Sequence, residues 1–517
     1  VTTRVPPQPT ATAAASFPRA QTLYLLGGES SNPRNYDPAT THSGGDELIF
    51  SGLVTFDPEL KVIPDLAESW KTDDGMTYIF KLRRNARFHN GRPVIAQDFI
   101  YSWERAANPK TQSDTVLTYL GDIVGVKEMR AGKADHIAGL KALDDYTLQV
   151  TIDAPKPYFL LKLTYATAVV VDRENVESGP GWYRTPNGTG PYRLVRWEPM
   201  KQIVYVRNND YYREPPAIPS VVTNLYSGTG IRLYETGAID VTSVSRSDVA
   251  RVLDPKDLLN PDVMSSVNMC TSYVTFDTKQ PPFDDVKVRQ AFAHAFDRQK
   301  FIDVVLLGIG VPAKGIYPPA LPGFNRDFQG LSFDPARARN LLAESKYGGT
   351  AKMPAIVYTT SGGAGYVSAA VAAQIQMWQQ TLGVAITVEN IESDKYNDEL
   401  AAGRHGQIIS EGWCADYPDP ENFADVLFHS GAEHNRGHYS NSQVDALLEQ
   451  ARVELDPAKR IRLYQQVEPL IVNDAPTVFT YHSMSYVLVK PYIQGYVLSP
   501  ISIPTIYYLR IDPSRTK

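Results

Sequence analysis

Between residues 355 and 388 the chain runs strand, glycine-rich turn, amphipathic helix, strand, and that order admits few architectures. Ala355 to Tyr358 is a short apolar run followed by Ser361-Gly362-Gly363-Ala364-Gly365. Val367, Val371, Ile375, Trp378 and Leu382 then recur at helical spacing. Gly383 stands where a left-handed residue ends a helix, and Val384, Ile386 and Val388 alternate as the next strand. Two strands joined through a helix lie parallel, because only a crossover of this length returns the chain to the same edge. A parallel sheet covered by helices is expected here.

The neighbouring segments carry helix starts. Asp334-Pro335 and Asp456-Pro457 each place a capping acid before a proline at the first helical position, and Ser442 is the expected cap of the helix bearing Leu447 and Leu448. Val288, Phe292, Ala295 and Phe296 form another apolar face. The first half has a different rhythm. Tyr78, Phe80 and Leu82 alternate, as do Leu148, Val150 and Ile152, and Val204 and Val206. Asp74-Gly75, Asn90-Gly91 and Asn187-Gly188 mark turns, and Gln97 to Ala107 reads as a helix stopped near Asn108-Pro109. The reading is a β-rich, mixed first half and an α/β second half.

A chain of 517 residues carries two or three domains at this composition. Its net charge of −6 argues against a nucleic-acid-binding body, since polyanion affinity rests on basic surface. No apolar run is long enough for a membrane span; Phe301 to Val311 is cut by Asp303, Gly308 and Gly310. Residues 1–20 are small and proline-rich, and read either as a frayed end or as a flexible tether holding the body off a membrane. Tyr outnumbers Phe by 30 to 18, which suits clefts where an aromatic body needs a polar tip.

Signatures of catalysis are missing from the sequence. Gly188/Gly190 and Gly228/Gly230 lack the third glycine of a dinucleotide loop, and there is no phosphate-binding GxxxxGK[ST] or nucleophile elbow. His434 and His438 are four apart, but Asn435-Arg436-Gly437 between them reads as a loop rather than a zinc-binding helix. The glycines of 361–365 read as a strand-to-helix turn. Asp419 and Glu421 are a carboxylate pair whose separation in space the sequence does not give. No cofactor or metal is expected.

One constellation speaks for binding. Gly412-Trp413-Cys414-Ala415-Asp416-Tyr417 follows the apolar Ile408-Ile409, where a strand should end, and α/β folds bind ligands at such ends. A carboxylate there can pair with a cation while aromatic faces line a pocket. The alternative is an ordinary loop with one packed Trp.

These words also resemble a family. GWCADY, CTSY at 270–273 and PPFDDVKVRQAFAHAFDR at 281–298 are similar to the extracytoplasmic oligopeptide-binding proteins of ABC importers, in solute-binding family 5, the peptide/nickel group. So are DLAESW at 65–70, GRPVIAQDFIYSWER at 91–105, KALDDYTLQV at 141–150 and GTGPYRL at 188–194. The resemblance implies an α/β, bilobed periplasmic-binding-protein-like fold of the large three-domain class II type, with mixed sheets and a two-strand hinge near 270 and 486. It implies domain I from 21–58, 170–269 and 487–517, domain II from 59–169, and domain III from 270–486. The ligand it implies is an oligopeptide, delivered to the transmembrane subunits of an ABC permease by a monomeric, extracytoplasmic protein without catalysis. Its tether would carry a lipid anchor. Asp416 would hold the peptide's α-ammonium, and backbone around Gly412 and Cys414 would pair with an extended peptide. Tyr119, Tyr273, Trp413 and Tyr417, with His42 and Ser43 near a second pairing segment, would line the ligand. Cys270 and Cys414 would form a disulfide. Where relatives tuned to short peptides carry basic side chains, this chain has Leu306, Ser410 and small residues near Ala364. Other readings are the same fold binding an oligosaccharide, nickel or haem, and a secreted hydrolase.

Overall fold

In the computed structural model of the chain, strand Ile356–Ser361 pairs in parallel with strand Ile386–Ile391, and helix Ala369–Leu382 makes the crossover. The structure describes residues 17–27, 33, 35–41, 45–225, 228–363, 367–501, 503 and 505–515. Ser368 caps the crossover helix by accepting from the Val371 N–H at 3.2 Å, so Val367 stays outside it. Gly383 ends it at φ 71°, a left-handed conformation that glycine adopts without steric cost. Asp334 and Asp456 cap as expected, accepting from the N–H groups of Arg337 and Lys459 at 2.9 Å. Ser442 does not cap: Asn441, extended and one residue earlier, accepts from Gln443 and Val444, and Ser442 is already helical.

This unit forms one end of an eleven-stranded sheet. The order continues through Ile408–Cys414, Val263–Phe276, Thr477–Val489, Val241–Ser243, Thr22–Leu26, Ser220–Asn224, Gln202–Arg207 and Tyr192–Glu198, with Val311–Pro312 also on Thr477–Val489. The two central strands are long and antiparallel, and their ends serve different neighbours. Cys270 to Phe276 pairs with Cys414 to Ile408, whereas Val487 to Val489 pairs with Ser243 to Val241. Their mutual ladder breaks midway, from Val267–Met484 to Thr271–His482. Asn268 bridges the break, donating to Ser483 and Ser485 hydroxyls at 3.1 and 2.9 Å. An interrupted ladder of this kind bends and twists the strands that carry it.

Separate cores lie on either side of that break. One packs Phe276, Phe292 and Phe296 around Trp378, whose indole N–H donates to the Phe292 carbonyl at 2.9 Å. Another gathers Leu23, Tyr192, Tyr205 and Val221. A third lies beneath an antiparallel sheet ordered Ala67–Lys71, Thr77–Leu82, Thr147–Thr151 and Leu140–Asp144, and helix Ala96–Ala107 buries Phe99 and Trp103 in it. The fold is the bilobed α/β arrangement, and a further core joins Phe56, Tyr119 and Tyr158 to Met269, Tyr417 and Phe423.

Cys270 and Cys414 stand directly opposite each other and are disulfide-bonded. The Ala415 N–H donates to the Met269 carbonyl beside them at 2.7 Å, which makes theirs a non-hydrogen-bonded pair, the closer of the two ladder positions. Near the break, buried His482 holds Nδ1 2.9 Å from the Thr271 hydroxyl, and burial lowers its pKa to about 4.

Thiol titration in denaturant without reductant will find no free cysteine. Closing a loop of 144 residues stabilises the chain by about 5 kcal/mol in the chain-entropy model, so reduction will lower the unfolding midpoint. Two titratable thiols would contradict the pairing. For His482, the unfolded state binds the proton first as pH falls. Stability is therefore intact above about 6.5 and declines until the folded pKa near 4, by up to about 3 kcal/mol. Denaturant melts from pH 7 to 4 will show a shallower decline for His482→Gln than for the native chain.

Candidate ligand-binding cleft

The strand that opens the site does not end after Ile408-Ile409. It runs on through Gly412, Trp413 and Cys414, because Ser272, Thr271 and Cys270 continue the ladder. The chain leaves the sheet at Ala415, and Asp416 follows at once. Asn422, fully buried at 0% exposure, organises the loop. Its Oδ1 accepts from the Asp416 N–H at 3.0 Å and the Trp413 indole N–H at 3.2 Å, and its Nδ2 donates to Asp416 Oδ2 at 3.4 Å. One amide thus fixes the backbone, the carboxylate and the indole of the motif.

Ala415 and Asp416 form one wall of a cavity of about 360 Å³, and Phe56, Tyr165, Arg213 and Tyr507 stand on others. The Tyr119 hydroxyl hydrogen-bonds Asp416, and the Tyr119 and Tyr165 rings stack with centroids 3.6 Å apart and planes 5° from parallel. Burial and then the Asp416 charge push Tyr119 far up, and the same causes push Tyr165 to about 12. Both phenols keep their protons at neutral pH. Across the cavity, Asp46 and Glu47 hydrogen-bond each other, and burial raises both. Arg213 lies 3.5 Å from Asp65.

The strand also offers an open edge. Its far side pairs with Ile356–Ser361 only at Ile408 and Ile409. Among the described residues no strand pairs with Ser410 to Cys414 on that side, although the Tyr396 hydroxyl donates to the Ser410 carbonyl at 2.7 Å.

The structure brings Gly412, Trp413, Cys414, Asp416 and Tyr119 together. Trp413 is half-buried, its ring 5.0 Å from that of His434. Tyr273 and Tyr417 point elsewhere. Tyr273 is buried with its ring 6.3 Å from Phe479, and Tyr417 is buried and donates to Glu421. Neither lines the Asp416 cavity. Strand alternation separates Tyr273 from it, because Ser272 and Tyr273 face opposite sides. His42, Ser43 and Ala364 lie outside the described residues, and Leu306 is buried. His438 has its Nδ1 3.0 Å from Asp277, and among the described residues no group of three His, Cys, Asp or Glu side chains could hold a metal. Asp419 is held at 2.6 and 2.7 Å by both terminal nitrogens of Arg460. Sequence reading missed Asn422, Tyr165 and the Asp46–Glu47 pair; no local motif marks a buried amide or a tyrosine brought in from a distant segment.

The family model for bacterial extracellular solute-binding proteins, family 5 (middle), matches residues 61–435. The periplasmic oligopeptide-binding protein OppA of Escherichia coli (strain K12) is 31% identical over 508 residues, spanning 93% of this chain and 92% of that protein. Among solved structures, OppA of Burkholderia pseudomallei superposes with a TM-score of 0.80 at 28% identity, covering 96% of this chain and 100% of that one. Haemophilus influenzae OppA in complex with RPPGFSPFR superposes at 0.78 with 25% identity, covering 96% and 100%. The chain belongs to family 5 of the bacterial extracellular solute-binding proteins.

Proposed function

We infer that this chain is the substrate-binding component of an ABC importer, capturing oligopeptides between its lobes and delivering them to a membrane permease. The observation that carries the reading is Asp416, set at the end of an open-edged strand on the wall of the interlobe cavity. An α-ammonium taken out of water needs a compensating charge, and a carboxylate supplies it through a charge-assisted hydrogen bond. The edge from Ser410 to Cys414 offers main-chain groups to an extended peptide, a mode that reads backbone rather than side chains. Extracytoplasmic relatives and an oxidised cysteine pair support a location outside the cytoplasm.

In this reading the lobes divide as domain I (21–58, 170–269, 487–517), domain II (59–169) and domain III (270–486). The interrupted ladder between Val263–Phe276 and Thr477–Val489 is the hinge. A peptide touching both lobes favours the closed form by its differential affinity. The working unit is a monomer, and the proline-rich 1–20 segment is its tether to a lipid anchor.

Asp416→Asn will weaken peptide binding several-hundred-fold, the equivalent of about 3–5 kcal/mol for an unpaired buried charge. Acetylating the peptide N-terminus will weaken binding to the native chain similarly. The two losses will not add, because each removes the same interaction. Calorimetry on two proteins and two peptides completes the cycle; additive losses or indifference to acetylation would remove Asp416 from the anchor role. Small-angle scattering will show the radius of gyration falling at peptide saturation, and an unchanged radius at demonstrated saturation would count against closure.

A further inference from the structure

The surfaces that meet beside the cavity hold a chain of buried charges. On the domain II side, the short helix Phe159–Lys162 ends in Lys162, whose side chain is 8% exposed. Its Nζ lies 3.0 Å from Asp122 Oδ2 and 3.8 Å from Glu421 Oε1, and Glu421 belongs to the helix Glu421–Phe428 of the facing lobe. Between them the Tyr158 ring receives Lys162 Nζ at 4.9 Å and the Arg460 guanidinium at 5.2 Å, one cation from each side.

The pairing is asymmetric. Asp122 has a second cation on its own side, Lys156 at 2.6 Å. Across the interface, Asp425 is gripped by Arg452 at 2.6 and 2.7 Å, and Asp419 by Arg460. Glu421 has the Tyr417 hydroxyl on its own side, and among the described residues its ion pair is with Lys162. Burial and the neighbouring Asp425 work against its charge, and Lys162 works for it. Burial works against the Lys162 charge too, but Glu421 and Asp122 hold its pKa up.

We propose that Lys162 is a positioning residue for closure: held by Asp122 on one lobe, its ammonium balances Glu421 on the other only when the lobes meet. The inference rests on the interlobe reading above. Opening leaves Lys162 with Asp122 and lets water solvate Glu421, so the Lys162–Glu421 contact exists in one state alone. An interaction confined to one state shifts the equilibrium between states, whichever peptide is bound. Lys162 does not itself line the cavity, although its carbonyl accepts from the N–H of Tyr165, which does, at 3.2 Å.

The contact predicts an unequal double-mutant cycle. Removing the cation makes Glu421 close either unpaired or with a proton taken up, whereas removing the carboxylate's charge leaves Lys162 satisfied by Asp122. Calorimetry with tetra-alanine should therefore find Lys162→Met at least about tenfold weaker than the native chain, and Glu421→Gln within about threefold of it. The double variant should regain most of the loss, to within about fivefold, and Lys162→Arg should retain binding. Melts of the ligand-free Glu421→Gln protein should match the native chain, since its contact with Lys162 belongs to closure, whereas Lys162→Met also loses its pair with Asp122. Unchanged affinity in Lys162→Met, a double variant as weak as that single one, or a Lys162→Met chain that fails to fold would each overturn the proposal. If native protein binds no tetra-alanine, the peptide reading falls and this inference falls with it. If it binds but does not contract in scattering, the closure reading fails by a separate measurement.

Discussion

Everything in this molecule hangs on one ladder, that between strands Val263–Phe276 and Thr477–Val489. These strands lie between Ile408–Cys414 and Val241–Ser243, so they carry the eleven-stranded sheet from one body into the other. Ladder hydrogen bonds are cooperative along a strand pair, and an uninterrupted pair this long would be stiff. The shift between Val267–Met484 and Thr271–His482 relieves it, and Asn268 satisfies the hydroxyls left at the gap. Just beyond the gap, the Cys270–Cys414 disulfide ties the hinge strand to the strand that presents Asp416. The gap in the ladder and the loop that carries Asp416 are therefore linked covalently as well as by the sheet.

What could be read from the chain alone follows from how local each signal is. The unit from 355 to 391 was legible because its periodicity, glycine stop and alternation all lie within one stretch and agree. The caps at Asp334 and Asp456 were legible because a proline fixed the register; at Asn441-Ser442 two good capping residues sit side by side, and backbone conformation chose the first. The strand end at Ile409 was misplaced because partner residues 270–272, far off in sequence, extend the ladder beyond its apolar part. Asp416 stood out through its motif and Tyr119 through family position, and the structure sets the two side by side. Asn422 did not stand out, since a buried amide bonding back six residues has no signature until the loop is closed. Tyr273 belonged to a suggestive motif and still faces a core, because strand alternation decides direction whatever the neighbouring words resemble.

The chemistry of the cleft follows from setting one half-buried carboxylate at the cavity wall and holding it with hydrogen-bond donors. Tyr119 and Asn422 hydrogen-bond Asp416 without cancelling its charge. They hold its position at the cavity wall.

The meeting faces solve a related problem with the opposite device. A surface that must be wet in one state and buried in another cannot be wholly apolar, since the open form would then expose a large hydrophobic patch. Nor can it carry unmatched charge, since closure would strand that charge. Here Asp425 with Arg452 and Asp419 with Arg460 are matched within one lobe, and Asp122 with Lys156 within the other. In the proposed closure these pairs would enter the interface already neutralised, which limits the desolvation cost of closing. Tyr158, apolar in body and polar at its tip, fills the space between the two sets of cations. Only Lys162 and Glu421, among the described ion pairs of this cluster, complete their match across the gap. In the proposed closure, self-neutralised pairs would keep the interface reversible, and the contact shared between lobes would make its closed geometry specific.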